Sequence, residues 1–396
     1  MVLAIRSEML RRSLPRVLLV SGDFVLTGGM DRANYALADY LARMGVQVEL
    51  VAHRIDRELA AYENVKFHRI AKPANSYFIG SHFLAVQGRT VAKQVLRDGG
   101  QVIVNGGNCV VEGVNWAHYI HAAYVPEHRS LPRRLKQIVE RPLALRAERQ
   151  AFAKAKLVFA NSEATRRLLI QRFSLDPAIV KQIYYGSDDT RFYPSSEAER
   201  HELRKTLGWD HAPRVLFIGA LGDRRKGFDT LAQAWKRLQQ SDHWDARLVV
   251  VGMGAEQARW EQTFAAAAAR DNWDSRVTVE FLGFRSDVPE LLRAADCLVA
   301  PTRYEAYGLG VREAICCGLP AFVSRTAGVA EHYPAQMNDM LIDDPNDGTA
   351  LAATLLTWRE NMAAYKAKTE PLGQRLRAHT WDDMASDMVK QMLENG

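Results

Sequence analysis

Between Arg303 and Pro320 the chain reads RYEAYGLGVREAICCGLP, with two carboxylates, Glu305 and Glu313, set on either side of Gly308 and Gly310. An apolar run from Asp296 to Ala300 precedes it and reads as a buried strand that Pro301 ends. The glycines open an amphipathic helix with Val311, Ala314 and Ile315 on its apolar side, and Gly318 and Pro320 stop it. A strand, a glycine turn and a helix start present backbone N–H groups and the positive end of a helix dipole, a ready site for phosphate. Carboxylates bind phosphate poorly but accept readily from hydroxyls. The combination suits a ligand carrying both, such as a nucleotide sugar. A second stretch, DRRKGFD from Asp223 to Asp229, puts Lys226 on a loop entering a helix, where its ammonium can reach a distal phosphate as a point charge.

These residues need a frame that brings strand ends together. Arg16 to Ser21 (RVLLVS) is a fully apolar strand of the parallel-sheet kind. A loop with Gly28 and Gly29 follows, then a helix from Asp31 to Met44 and a strand from Val46 to Ala52. This βαβ opening argues for a doubly wound sheet. Further strands are expected at Val65–Ile70, Val102–Val104, Trp116–His121, Leu157–Ala160 and Lys181–Tyr184. Residues 186–213 are polar and turn-rich and read as a junction. The alternation then restarts, with strands at Val215–Ile218, Arg247–Val251 and Val277–Leu282 and helices at Phe228–Leu238, Glu256–Ala269 and Val288–Ala294. Two α/β domains are therefore expected, residues 1–190 and 191–379, with a final amphipathic helix within 380–396 packing back on the first. Ligands of such open sheets lie at the strands' C-terminal edge.

The 396 residues, 47 % hydrophobic and 25 % charged, suit a soluble globular chain of two ordinary domains. No apolar run is long enough for a membrane-spanning helix. The first residues (MVLAIRSEMLRRS) carry Arg6, Glu8, Arg11 and Arg12 and lack the apolar core of a signal peptide. Cys109, Cys297, Cys316 and Cys317 have neither disulfide nor zinc spacing and read as buried thiols in a reducing, cytoplasmic compartment. The net charge of +6 is uneven: residues 1–190 hold 27 Lys and Arg against 17 Asp and Glu, the remainder 25 against 29. The basic half suits an anionic surface or acceptor.

In order along the chain, the Gly28–Gly29 loop, HYIH (His118 to His121), FANSEATRR (Phe159 to Arg167), YYGSDDTRFYP (Tyr184 to Pro194), FIGALGDRRKGFDTLAQAW (Phe217 to Trp235), the long segment from Phe281 to Pro320 and TAGVAEH (Thr326 to His332) form a set. With these the chain resembles the retaining GT-B glycosyltransferases of family four, also called group 1, over nearly its whole length. The resemblance implies two Rossmann-like domains facing across a cleft, and transfer of a sugar from a UDP-, GDP- or ADP-sugar to a hydroxyl without metal or other cofactor. It implies that Lys226 holds the distal phosphate, that Glu313 takes the ribose hydroxyls and that Glu305 takes a sugar hydroxyl. Amides from Tyr307 to Leu309 and the Gly28–Gly29 loop would hold phosphate, and the base would lie against Phe284–Arg285. The family's second phosphate ligand is an arginine in a Gly-Arg-Leu sequence, but here the residues are Gly219, Ala220 and Leu221. Arg224 or Arg225 could replace it, and Arg225 is preferred. A histidine at the cleft is implied too. His121 is preferred, with His118 as its rival, since strand alternation would point the two to opposite faces.

On the acceptor side, Asn105 to Asn108 (NGGN) forms another polar strand-end loop. Residues 129–156 carry nine Lys and Arg, from Arg129 to Lys156, against Glu140 and Glu148. Leu131, Leu135, Ile138 and Val139 make an apolar stripe before Pro142 interrupts. Such a stripe either packs into the core or lies on an anionic membrane surface. The second case gives a peripheral enzyme at the inner face with a glycan or lipid-linked glycan acceptor from cell-envelope or exported glycan biosynthesis, lipopolysaccharide among them. The basic residues lack the aromatic interleaving of a nucleic-acid module. Two other functions fit the same frame: a nucleotide-sugar epimerase, which would convert donor without acceptor, and a non-catalytic nucleotide-sugar binder, suggested by Ala220.

Overall fold

Seven parallel strands form the first sheet: Arg16–Val20 (β1), Gln47–Ala52 (β2), Val65–Arg69 (β3), Gln101–Asn105 (β4), Gly113–Ala117 (β5), Ala155–Ala160 (β6) and Val180–Gln182 (β7). The computed structural model describes residues 8, 10–127, 131–241, 244–271 and 279–395. Arg6, Arg129 and the first two residues of the strand expected at Val277–Leu282 lie outside the described residues, as do the side chains of Leu131 and Arg133. The spatial order β3-β2-β1-β4-β5-β6-β7 follows from right-handed crossovers on either side of β1. β1 is central because its residues are apolar on both faces; Val17 to Val20 are all buried. Helices Gly29–Arg43 (α1), Tyr77–Arg97 (α2), Leu131–Lys154 (α3) and Glu163–Phe173 (α4) make the connections.

A second sheet repeats this construction. Its strands are Arg214–Ile218 (β8), Arg247–Val251 (β9), Val279–Gly283 (β10), Cys297–Ala300 (β11), Ala321–Ser324 (β12) and Leu341–Ile342 (β13), in the order β10-β9-β8-β11-β12-β13. Its helices are Glu197–Thr206 (α5), Phe228–Leu238 (α6), Gln257–Asp271 (α7), Val288–Ala294 (α8), Leu309–Cys316 (α9), Gly348–Glu360 (α10) and Met362–Arg377 (α11). The same strand order in both sheets puts the loops after β8, β9, β10 and β11 at one edge of the second, beside the point where the order reverses.

The chain divides into two units, one of residues 1–125, 130–186 and 380–396, the other of 126–129 and 187–379. Residues 187–190 therefore belong with the second unit rather than the first. Ser187 explains the difference: its N–H donates to the His379 carbonyl at 2.9 Å and its hydroxyl to the Leu376 carbonyl at 3.0 Å. The terminal helix Trp381–Asn395 (α12) packs on α1, and Arg43 Nη2 bonds Asp382 at 2.5 Å.

Two local expectations are corrected. The strand expected at Trp116–His121 is β5, Gly113–Ala117; pairing of Val114 with Ile103 and with Leu157 sets its register. Helix α3 runs through Pro142 as one 24-residue helix. All four cysteines are buried free thiols. No helix among the described residues is long and apolar enough to cross a membrane.

Candidate functional site

In the second unit the loop after β8 starts from a backbone brace. Gly219 N–H donates to the Val251 carbonyl at 2.9 Å and Leu221 N–H to the Met253 carbonyl at 3.2 Å. A Cβ at Gly254 would stand 1.7 Å from the Leu221 carbonyl oxygen, so only glycine permits this approach. Ala220 is exposed on this braced loop, so nothing in the fold demands a longer side chain there.

Asp223 then turns the chain by accepting from Arg225 N–H at 3.1 Å, and a single 3₁₀ turn carries Arg224, Arg225 and Lys226. Gly227 has φ of 73°, and a Cβ on it would lie 1.9 Å from the Pro301 carbonyl oxygen. The ends of β8 and β11 are thus pressed together, and Arg303 N–H donates to the Arg225 carbonyl at 2.8 Å. The result joins residues far apart in sequence. Lys226 Nζ lies 2.6 Å from Glu305 Oε2, with Arg225 Nη1 at 3.9 Å from the same oxygen.

The two neighbouring arginines divide by partner. Arg224 bonds Asp229 at 2.9 Å and Glu127 at 2.7 Å, whereas Arg225 bonds Asp223 and leans towards Glu305. Asp229 also takes Arg303 at 2.8 and 3.0 Å. Burial alone would raise the Asp229 carboxyl, but these two guanidinium groups hold it below its ordinary value. Arg303 and Asp229 are a brace that the sequence reading missed; two opposite charges in segments both assigned to the site were the available signal.

Gly308 has φ of 107°, a left-handed conformation that starts α9. The first N–H groups of α9 have no partner within the helix by the geometry of any helix start. The carbonyls of Glu305 and Tyr307 accept from Gly328 N–H at 3.2 Å and Val329 N–H at 2.6 Å, which fixes the turn against the Thr326–His332 segment. The Tyr307 side chain points into the core and its hydroxyl takes Arg312 Nη1 at 2.9 Å, so only its main chain can serve a ligand. Leu309 likewise offers its amide. Glu313 is buried rather than solvated. Phe284 is 64 % exposed at the end of β10, and Arg285 beside it pairs with Asp287.

In the first unit His118 is a core histidine. It packs on Trp116 with ring centroids 4.2 Å apart, bonds the Tyr185 hydroxyl, and burial pushes its pKa down to about 3. His121 is exposed on a 3₁₀ turn, which leaves it as the candidate of the two. Gly28 (φ 84°) and Gly29 start α1, but the Asp31 carboxylate stands beside Gly28. Burial, then repulsion from Asp23, raises Asp31 to about 6, so at neutral pH its charge opposes a phosphate at this turn.

Two family models match the chain: "Glycosyltransferase Family 4" over residues 27–191 and "Glycosyl transferases group 1" over residues 212–361. The chain belongs to the family 4, group 1 glycosyltransferases. Its fold is GT-B, two parallel-sheet α/β domains. WaaG, a glycosyltransferase involved in lipopolysaccharide biosynthesis, aligns with a TM-score of 0.75 and 19 % identity over 94 % of this chain and 99 % of its own. Anabaena HepE, solved with UDP-glucose, aligns with a TM-score of 0.69 and 18 % identity over 96 % of this chain and 99 % of its own. Among curated proteins, alpha-D-kanosaminyltransferase of Streptomyces kanamyceticus is 28 % identical over 55 % of this chain and 54 % of its own. Mannosylfructose-phosphate synthase of Agrobacterium fabrum is 26 % identical over 60 % of this chain and 53 % of its own. The chain thus spans about half the length of the curated relatives it matches.

Proposed function

We propose that the protein is a glycosyltransferase that moves a sugar, with retention, from a nucleotide-diphosphate sugar to an acceptor hydroxyl. The observation that carries this is the convergence of Lys226 and Arg225 on Glu305 beside the Gly308 helix start. Diphosphate oxygens would take over Lys226 from Glu305 and free that carboxylate for a sugar hydroxyl. As the anomeric C–O bond breaks, negative charge grows on the distal phosphate, where Lys226, Arg225 and the first amides of α9 meet it. Arg225 stands in for the arginine absent at Ala220. Glu313 accepts from the ribose hydroxyls, and exposed Phe284 offers a face to the base. Attack comes from the side the diphosphate leaves, and the acceptor hydroxyl passes its proton to the departing phosphate oxygen. His121 orients the sugar or its acceptor. These groups supply the positive charge without a metal. HepE, solved with UDP-glucose, supports the donor class.

The test is thermal shift with UDP, GDP, ADP and their sugars. One of these, at a hundredfold its Kd, should stabilise the protein by about 2.7 kcal/mol. No shift with any of them, and no sugar released, would remove this function.

The acceptor is a glycan or lipid-linked glycan of the cell envelope, met at the inner face of an anionic membrane. WaaG and the O-antigen chain mannosyltransferase B of Escherichia coli act in such pathways by their names. The apolar stripe of α3 is exposed, not packed in the core: Ile138 is 67 % exposed, and Leu135, Val139 and Leu143 lie open beside it. Arg134 and Lys136 flank it, which suits insertion of apolar side chains below acidic headgroups. The protein should co-sediment with anionic vesicles at low salt and lose binding at high salt. Leu135→Ser with Ile138→Ser should weaken binding at least roughly a hundredfold, the effect of withdrawing two apolar side chains worth about 1.5 kcal/mol or more each. Equal binding to neutral vesicles, or none to anionic ones, would remove the membrane contact.

A further inference from the structure

Glu148 is one of two acids in the basic segment, and it is fully buried. It lies on the half of α3 that docks on the sheet, one turn before buried Ala151 and Phe152. Its two oxygens have separate tasks. Oε1 accepts from His121 N–H at 2.8 Å and Oε2 from Ala122 N–H at 3.2 Å. These amides belong to the 3₁₀ turn that follows β5, so the carboxylate holds the turn carrying His121.

Close packing places Glu148 itself. A Cβ at Gly107 would lie 3.0 Å from the Glu148 nitrogen, so this turn of α3 is pressed onto the Gly106–Asn108 turn. That turn is fixed in its own right: Asn115 accepts from Gly106 N–H at 2.9 Å and donates to the Gly106 carbonyl at 3.0 Å. One residue therefore meets two strand-end turns, through its carboxylate and through its backbone. An ionised acid buried in this way is costly, and burial pushes its pKa up to about 7 against the two amide bonds that favour the charge. A glutamine presents one acceptor oxygen and could satisfy only one of the two amides.

We propose that Glu148 is the positioning residue for His121, fixing the turn from which the imidazole meets substrate; this rests on the function proposed above. Glu148→Gln should lower kcat roughly tenfold and Glu148→Leu roughly a hundredfold, with the donor KM within about twofold of wild type, as expected for one and two lost charge-assisted bonds. The deciding measurement is a double-mutant cycle. In a His121→Ala background, Glu148→Gln should cost less than about twofold. An equal cost in both backgrounds would show that Glu148 supports the fold without acting through His121. A His121→Ala variant with wild-type kcat would also overturn the proposal, while Lys226→Ala would still report on the transferase function. Amide hydrogen exchange needs no turnover: His121 and Ala122 should exchange at least about tenfold faster in Glu148→Gln, and unchanged exchange overturns the latch even in a protein that transfers no sugar.

Discussion

Lys226→Ala should lower the transfer rate roughly 10²–10³-fold, the effect of removing one preorganised donor to a developing oxyanion. The side chain is placed for this by constraints that do not depend on the lysine itself. Asp223 sets the turn, Gly227 lets it press on Pro301, and Arg303 pins the Arg225 carbonyl. The variant should therefore fold as wild type does. In the free protein it loses one ion pair and leaves Glu305 with Arg225 at 3.9 Å. The loss should fall chiefly on kcat, because charge on the phosphate is greatest as the sugar departs. Turnover at saturating donor decides it, and an undiminished rate would end the role assigned to this residue.

The second large effect is on stability. Arg312 is 1 % exposed, and its guanidinium spreads over four acceptors. Nε donates to Ser187 Oγ at 2.8 Å, Nη1 to the Tyr307 hydroxyl at 2.9 Å, and Nη2 to the carbonyls of Leu376 at 2.7 Å and His379 at 3.1 Å. Arg312→Met keeps an unbranched chain but removes all four of these bonds, while Ser187 still donates to the Leu376 and His379 carbonyls. The cost should be about 3–5 kcal/mol, from the loss of several buried hydrogen bonds made by one charged donor. For a unit of this size that lowers its melting midpoint by roughly 10 °C. Arg312→Lys should recover little, since an ammonium cannot reproduce a planar fork. A melting curve within about 1 kcal/mol of wild type would refute the account. Because Tyr307 precedes the Gly308 turn, the surviving protein should also bind donor more weakly.

Arg312 marks a limit of sequence reading. It stands one residue from Glu313 in a stretch read closely, yet nothing local tells that its partners are residues 187, 307, 376 and 379. Local elements were legible. Phe228–Leu238, Arg247–Val251 and Val288–Ala294 have the bounds their patterns imply, because helical periodicity and short apolar runs are properties of neighbouring residues. The strand expected at Trp116–His121 was displaced because apolar and aromatic residues continue on both sides of it. Pairing with β4 and β6 decides where it ends. Periodicity also marked the α3 stripe as apolar, but whether anything covers a face is a property of the rest of the fold.

By itself the sequence determined the two α/β halves, the glycine turns that open helices, and the stock of charged groups from which a phosphate site could be made. Each of these is set within a few residues, by torsional preference and by the period of apolar side chains. Tertiary structure alone decided which charges meet. Lys226 finds Glu305 across 79 positions because β8 and β11 are neighbours in the sheet. His118 is committed to the core and His121 is not, because the chain beyond β5 enters a 3₁₀ turn held by a carboxylate on α3. Pairing over such separations is fixed by sheet order and close packing, which no local pattern encodes.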